Sequence, residues 1–201
     1  MLHYYIVYKP FHVLSQFTSP DGKQSLKDFF NVPDDVYPVG RLDYDSEGLL
    51  ILTNDQQLNH RLLHPSFEHE REYWVQLDGD IDQSAIDKLQ VGVSISIDGN
   101  AYQTKSCKAK KFSTTPGLPE RNPPIRYRKN IPTSWISLVL REGKNRQVRK
   151  MTAMVGFPTL RLLRFRIATI TIDKMLPGEI ISMSKEEIYQ KLFGSLKNGE
   201  W

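Results

Sequence analysis

The sequence predicts an α+β fold with a mixed, largely antiparallel sheet and flanking helices. Apolar runs of strand length outnumber the runs with helical spacing, and the two kinds do not alternate strictly. A doubly wound parallel sheet needs that alternation and is therefore disfavoured. The chain has 201 residues, enough to bury a core without metals or disulfides. We expect one domain over residues 1–201, with two lobes about a central cleft as the alternative.

The first half of the chain reads as short strands with a few helices. Its Tyr-, Ile- and Val-rich start is typical of a strand, which Pro10 ends because proline cannot donate to a ladder. Asp82 can cap a helix. Strands are predicted at 2–8, 36–39, 49–52, 73–77 and 93–97, and helices near 25–30, at 56–63 and at 82–89.

The second half contains a segment, 113–132, in which five prolines exclude regular structure. We expect it to be a long surface excursion. Ser184 and Glu187 form the capping box of a last helix. The other predictions are a strand within 101–112, a strand at 135–140, a helix at 145–155 ended by Gly156, and a long strand or a bent pair at 160–172.

Positive charge is concentrated in one segment. The formal net charge is +4, but residues 141–166 hold eight basic residues and one acid, so they contribute +7 and the other residues sum to −3 (4 minus 7). This asymmetry indicates a docking face for a polyanion, and a solvated basic surface is the alternative.

Cysteine content and the first residues indicate the compartment. Cys107 is the single cysteine, so neither an internal disulfide nor a Cys-rich zinc site can form. The opening residues lack a basic start followed by an apolar run, and no segment approaches the roughly 18 apolar residues of a bilayer span. We therefore expect a cytoplasmic protein that does not enter a membrane.

Reactive side chains are densest at residues 40–48, GRLDYDSEG. Asp43, Asp45 and Glu47 lie here with Arg41 between two predicted buried strands, which suits a catalytic loop. A charged turn with two glycines is the alternative. A second cluster, EGKNRQVRKM, covers 142–151, where helical spacing would place Arg146, Arg149 and Lys150 on one face and apolar residues on the opposite face.

These motifs resemble those of the pseudouridine synthases, in the branch related to the small-subunit enzyme. Residues 40–55 (GRLDYDSEGLLILTND) resemble its aspartate motif, 71–77 (REYWVQL) its tyrosine motif, and 142–164 (EGKNRQVRKMTAMVGFPTLRLLR) its arginine motif, in the same order. Residues 121–135 (RNPPIRYRKNIPTSW) are similar to large-subunit members. The resemblance implies the pseudouridine synthase fold.

The resemblance also implies roles. Asp43 would be the nucleophile, Tyr73 would stack on the flipped base and help with a proton, and Arg149 would pair with the aspartate. The partner would be ribosomal RNA, of the large subunit rather than the small, and no cofactor or metal is needed. We expect a monomer. The expected RNA contacts are Arg41, Lys144, Asn145, Arg146, Gln147, Lys150, Arg161 and Arg164.

Two departures and three alternatives accompany this interpretation. Tyr44 stands where the family usually has a basic residue, and we see no separate amino-terminal RNA-binding domain. One alternative is a glycoside hydrolase that pairs Asp43 with another carboxylate, and a second is a non-catalytic RNA-binding module. His60 and His64 have zinc-ligand spacing, but Arg61 stands where a metalloprotease helix needs Glu.

Overall fold

The computed structural model describes residues 1–19, 21–126 and 131–194. The strands are β1 (Tyr4–Lys9), β2 (Tyr37–Pro38), β3 (Glu47–Thr53), β4 (Arg71–Asp78), β5 (Ser94–Ile97), β6 (Asn100–Gln103), β7 (Lys108–Lys111), β8 (Thr133–Leu140), β9 (Thr159–Ile167), β10 (Ile170–Thr171) and β11 (Ile180–Ser182). The α-helices are α1 (Gln56–Leu63), α2 (Gln83–Val91), α3 (Gln147–Met154) and α4 (Lys185–Phe193). The predicted α+β class is confirmed.

The chain divides into two compact units. The first unit comprises Met1–His69 and Arg164–Trp201, and the second comprises Glu70–Leu163. Strand β9 begins in the second unit and ends in the first.

The sheet of the first unit is antiparallel and centred on β1 and β3. Strand β1 pairs with β11 on one side and with β3 on the other, and β2 adds to β3. Every residue of β3 is buried, so both faces of this strand are covered. Side chains of β1 and β3 form a core cluster with neighbouring segments of this unit. Its members are Val7, Val13, Leu26, Phe30, Val36, Leu50 and Leu52.

A buried carboxylate ties three elements of the first unit together. Asp55 caps α1 by accepting from the backbone N–H groups of Gln57 and Leu58, and it also accepts from the hydroxyls of Tyr4 on β1 and Tyr189 on α4, each at 2.8 Å. Burial raises the pKa of Asp55, but the hydrogen bonds from Tyr4, Tyr189 and the two N–H groups hold it below its usual value.

The second unit packs helices against another antiparallel set of strands. Strand β8 pairs with β4 and β7, and β5 and β6 form a separate hairpin. Asp82 caps α2 as predicted, by accepting from the N–H of Ala85. The core cluster of this unit is Val75, Leu77, Ile81, Ala85, Ile86, Leu89, Ile95, Ala109, Ile136, Leu138, Leu140, Val148, Met151 and Leu162.

Two predicted elements differ from the structure. The predicted helix 145–155 begins only at Gln147, because Arg146 has φ 52° and its left-handed backbone cannot continue a right-handed helix. The strand expected within 101–112 is two strands, β6 and β7. They separate because the N–H of Lys105 donates to the Glu142 side chain and that of Cys107 donates to Gln90 O, so neither pairs with a strand.

Other sequence predictions are confirmed. Helix α1 has its predicted bounds, and the capping box of Ser184 and Glu187 opens α4. The bent pair expected at 160–172 is β9 and β10, joined at Ala168 with φ 48°. Residues 113–126 and 131–132, the described part of the proline-rich segment, contain no helix or strand. Within the residues that the structure describes, no helix is long and apolar enough to cross a membrane.

We predict that Asp55→Ala lowers the free energy of unfolding by about 3 kcal/mol. Loss of a helix cap costs about 1 kcal/mol, and each buried tyrosine hydroxyl left unpaired costs roughly 1 to 3. Because the folded-state pKa of Asp55 is lowered, its stabilisation is present above the unfolded pKa of about 4 and is lost as pH falls further. The measurement is urea unfolding at several pH values between about 2 and 7.

The matched control is Asp34→Ala, which removes an exposed carboxylate of the same unit. It should change the unfolding free energy by less than about 0.5 kcal/mol. An Asp55→Ala protein as stable as this control would show that the network does not support the unit.

Candidate active site

The loop at residues 40–48, here called the aspartate loop, is fixed to the first unit by backbone and side-chain hydrogen bonds. The Ser15 hydroxyl donates to Leu42 O at 2.7 Å and accepts from Leu42 N at 3.0 Å. Ser46 N donates to Asp43 O at 3.0 Å, which closes a turn that begins at Asp43. Asp43 is half-buried at the start of this turn. The backbone that carries the predicted nucleophile is therefore rigid.

The far end of the aspartate loop is held by the close approach of two strands. Gly48 has φ +109°, and an added Cβ would lie 2.4 Å from the carbonyl oxygen of Arg164 on β9. The Arg164 side chain is buried, and its Nε donates to Leu49 O at 2.8 Å. Only glycine fits this approach, because any side chain would push the two backbones apart.

A fully buried lysine lies beside the aspartate loop. Lys9 ends β1 opposite Gly48, and its ammonium donates to the carbonyls of Pro10 at 2.9 Å and Val13 at 2.7 Å. Burial lowers the pKa of Lys9 to about 7, while the carboxylates of Glu47, Asp43 and Asp45 act in the opposite direction. The positive charge of Lys9 thus offsets part of the negative charge that this loop concentrates.

The second unit carries the other two residues with expected catalytic roles. Tyr73 lies on β4 opposite Leu138, half-buried with its ring packed against the core cluster. Arg149 lies on α3, where its Nη1 donates to Thr159 O at 3.4 Å. The core cluster therefore supports the Tyr73 ring directly, and it holds the helix that carries Arg149 through the neighbouring Val148.

The loop at residues 141–146, here called the basic loop, is organised by its single acid. Glu142 accepts from the Tyr102 hydroxyl, from Lys105 N at 2.9 Å and from the Gln147 amide at 2.6 Å. The hydrogen bond to Glu142, with burial, raises the pKa of Tyr102 to about 12. The Lys144 ammonium lies 4.9 Å from the centre of the Tyr102 ring, a cation–π contact.

The residues predicted to contact RNA separate into two groups by exposure. Arg41, Lys144, Asn145 and Arg146 are exposed, and Lys150 is half-buried. The buried group is Gln147, Arg161 and Arg164. In this structure the three buried side chains bond to their own unit: Gln147 donates to Glu142, Arg161 to Pro119 O and Arg164 to Leu49 O.

The expected helix face of three basic residues also changes. Arg146 precedes α3 as its N-cap, so it belongs to the basic loop, while Arg149 and Lys150 lie in the first turn. The basic face of α3 therefore contains Arg149 and Lys150 but not Arg146, which helical spacing had placed with them.

Neither the histidines nor the cysteine forms a metal site. The rings of His60 and His64 lie 5.3 Å apart, but within the described residues no three His, Cys, Asp or Glu side chains are placed to hold an ion. Cys107 donates to Leu89 O, and burial raises the pKa of its thiol to about 11, with a smaller contribution from Glu142. Such a thiol stays protonated, and Cys107 packs against the core cluster of the second unit.

Sequence reasoning missed Lys9 and Glu142. A signal existed for Lys9, because a lysine that ends an otherwise apolar strand next to proline is unusual. Glu142 was visible as the lone acid of the basic segment, but its hydrogen bonds to Tyr102 and Lys105 join residues about 40 positions apart. No local pattern reports such contacts.

Comparison with known proteins identifies the class. A family model described as RNA pseudouridylate synthase matches residues 3–154. The ribosomal large subunit pseudouridine synthase E of Vibrio parahaemolyticus is 46% identical over 85% of this chain and 69% of that protein. The protein of that description from Xanthomonas campestris is 44% identical over 85% of this chain and 90% of that protein.

A solved structure agrees with the sequence comparisons. The crystal structure of a pseudouridylate synthase, 25% identical, superposes with a TM-score of 0.76 over 96% of this chain and 74% of that one. The fold and the comparisons together define an isomerase that modifies RNA. This chain belongs to the RNA pseudouridylate synthase family, as its three motifs predicted.

We predict that Gly48→Ala destabilises the first unit by about 3 kcal/mol or more. The new methyl group would overlap the Arg164 backbone and would require a φ that L residues rarely adopt. The measurement is the midpoint of thermal unfolding compared with wild type.

Gly99→Ala is the matched control, because Gly99 also has positive φ (+83°) but nothing lies within 4 Å of an added Cβ. It should cost only about 1 kcal/mol, from backbone strain alone. Equal losses for the two variants would show that the close approach at Gly48 is not what constrains the loop.

Proposed function

We propose that this chain isomerises one uridine of large-subunit ribosomal RNA to pseudouridine, with Asp43 as the nucleophile. The support for the substrate is the 46% identity to a protein described as a large-subunit synthase. The observation that carries the role of Asp43 is its half-buried position on a loop fixed by Ser15 at one end and by Gly48 at the other. Such a support suits a catalytic group that must meet one atom of a substrate.

The reaction needs a group that holds the substrate after the first bond at C1′ breaks and before the second one forms. The bond from C1′ to N1 of uridine breaks, the uracil turns, and a bond from C1′ to C5 forms. C5 loses a proton and N1 gains one, so the atoms balance and no oxidant or reductant is consumed. An ionised carboxylate can hold the sugar or the base as a covalent intermediate during the turn.

The roles of Tyr73 and Arg149 are part of the same proposal. The uracil atoms are hidden in stacked or paired RNA, so the nucleotide must leave the stack. A Tyr73 ring under the flipped uracil would recover about 1 to 3 kcal/mol and could assist the proton transfer. The Arg149 guanidinium would pair with the Asp43 carboxylate and keep it charged while water is excluded.

We assign direct RNA contact to the exposed basic residues. Arg41, Lys144, Arg146 and the neighbouring Asn145 present donors to solvent, as does the half-buried Lys150. Phosphate contacts of this kind supply most of the sequence-independent affinity for RNA. Gln147, Arg161 and Arg164 act on RNA indirectly in this proposal, because their hydrogen bonds shape the loops and strands that carry the exposed donors.

Family membership decides between the enzyme and the alternatives. A glycoside hydrolase or a non-catalytic RNA-binding module would not be expected to match a pseudouridylate synthase model over residues 3–154. The proposal also includes that the protein is a monomer and that it acts in the cytoplasm. Both expectations rest on the sequence alone.

We predict that Asp43→Asn abolishes pseudouridine formation and leaves RNA affinity within about threefold of wild type. Asparagine keeps the shape of the side chain and removes the nucleophilic charge. The measurement is pseudouridine mapping by carbodiimide modification and reverse transcription, on large-subunit ribosomal RNA transcribed in vitro. The same assay with wild-type protein identifies the target uridine and tests the proposed activity.

Asp45→Asn is the matched control, because it removes a half-buried carboxylate two residues away. It should retain turnover. Loss of turnover in both variants would favour a pair of acting carboxylates, and full activity of Asp43→Asn would refute the nucleophile assignment. Release of free uracil would indicate hydrolysis.

We predict that Arg146→Ala weakens RNA binding and reduces the slope of log affinity against log salt concentration by about one. Arg146 is exposed at the end of the basic loop, so its loss removes one phosphate contact. The measurement is filter binding at several salt concentrations. Lys88→Ala, an exposed cation on α2, is the control and should leave the slope unchanged. A wild-type slope for Arg146→Ala would exclude the contact.

A further inference from the structure

Three rings stack immediately beside the predicted nucleophile, in the first unit. The ring centres of Phe11 and His12 are 3.9 Å apart, and those of His12 and Tyr44 are 4.8 Å apart with planes only 7° from parallel. Phe11, His12 and Tyr44, here called the ring stack, are each half-buried. Tyr44 follows Asp43 in the chain, so one member of the ring stack lies on the aspartate loop with the carboxylate.

The backbone holds the ring stack in place. His12 has φ 57°, a conformation that costs a non-glycine residue free energy. Its N–H donates to Tyr44 O at 2.9 Å, which ties the segment after β1 to the aspartate loop. Lys9 and Ser15 fix the two sides of the same segment, through Val13 O and Leu42. These hydrogen bonds fix the backbone on both sides of the ring stack, so the stack is not a chance contact of mobile side chains.

A cation lies over the outer member of the ring stack. The Lys23 ammonium is 5.6 Å from the centre of the Tyr44 ring. Its side chain is 48% exposed, and its ion pair with Asp21, at 3.7 Å, is between two exposed groups. Surface pairs of this kind contribute little, so Lys23 can exchange this partner for a phosphate.

We propose that the ring stack is the platform for the unpaired base next to the target uridine, and that Lys23 binds the phosphate of that nucleotide. This inference rests on the proposed function, because it concerns the same RNA at the same loop. Extraction of the uridine leaves its neighbour without one stacking partner. The ring stack replaces that partner, because every base offers a π-face. Lys23, which lies over the outer ring in this structure, then moves from the ring to the phosphate.

The chemistry of the ring stack favours RNA over a protein partner. A flat ring matches a base over its whole area, whereas an apolar side chain would contact only part of one ring. The Tyr44 ring can stack on any base, whereas a bare phosphate has no π-face for it to contact.

The first experiment uses wild-type protein, in excess over an RNA hairpin that carries the mapped uridine. 2-Aminopurine replaces the nucleotide on the 5′ side in one hairpin and on the 3′ side in another. Stacking quenches its fluorescence, and extraction of the uridine removes one stacking partner, so on binding the hairpin whose probe rests on the ring stack should stay quenched while the other gains emission. If both hairpins gain emission, the platform does not exist. Because this measurement needs no variant, it decides even if a variant fails to fold.

The second experiment is a double-mutant cycle between Tyr44 and the flanking base. Tyr44→Leu should raise KM about tenfold and leave kcat within about twofold, since the contact is to a neighbour of the reacting nucleotide. An abasic nucleotide at the quenched position should raise the wild-type KM equally, and should add nothing in Tyr44→Leu. Tyr44→Phe, which restores the ring, should restore both KM and the quenching. Additive losses would overturn the proposal.

The role of Lys23 is tested by its salt dependence. Lys23→Met should reduce the salt slope of hairpin binding by about one, while Lys27→Met, an exposed lysine of the same unit, should not change it. Equal slopes for both variants would remove Lys23 from the platform. If wild-type protein forms no pseudouridine in ribosomal RNA, the proposed function itself fails. Pseudouridine formation without quenching and with unchanged KM in Tyr44→Leu refutes only the ring-stack inference.

Discussion

The approach of β3 and β9 at Gly48 is the constraint on which the rest of the first unit depends. With no Cβ at this position, the Arg164 backbone lies against β3, and the Arg164 side chain can bond to Leu49 O. Gly48 is also opposite Lys9 on β1, so β1, β3 and β9 all approach one another at Gly48. The aspartate loop leaves the sheet from this point, and its geometry is therefore determined by backbone contacts more than by its own side chains.

Hydrogen-bonded charged groups, the buried Lys9 and the half-buried Glu142, support the loops of the two units. In the first unit, Lys9 is buried among carboxylates and fixes the segment that contacts the aspartate loop. In the second unit, Glu142 bonds to Tyr102, Lys105 and Gln147, and so holds the basic loop. A charge withdrawn from water is costly unless its hydrogen bonds are satisfied, so each of these groups permits few alternative loop conformations. Rigidity of this kind suits a site whose reactive groups must keep fixed positions.

The arginines of the basic segment differ in burial, so equal charge in the sequence does not mean equal exposure to a ligand. Residues 141–166 are strongly basic, but Arg161 and Arg164 are buried and bond to main-chain carbonyls, whereas Arg146 is exposed. Arg161 bonds to Pro119 O, and this contact holds part of the proline-rich excursion without any helix or strand. A guanidinium has five donors, so it can satisfy several carbonyls in places where regular structure ends.

The sequence by itself determined the α+β class, helix α1, the caps at Asp82 and Ser184 and the family, because these follow from local periodicity, capping chemistry and ordered motifs. It could not determine the start of α3, the break between β6 and β7 or the burial of Lys9. Those depend on a left-handed backbone at Arg146 and on hydrogen bonds between residues far apart in the chain. Only the tertiary structure brings such partners together, since the free energy of a buried charge or a strained φ depends on neighbours that no short window of sequence contains.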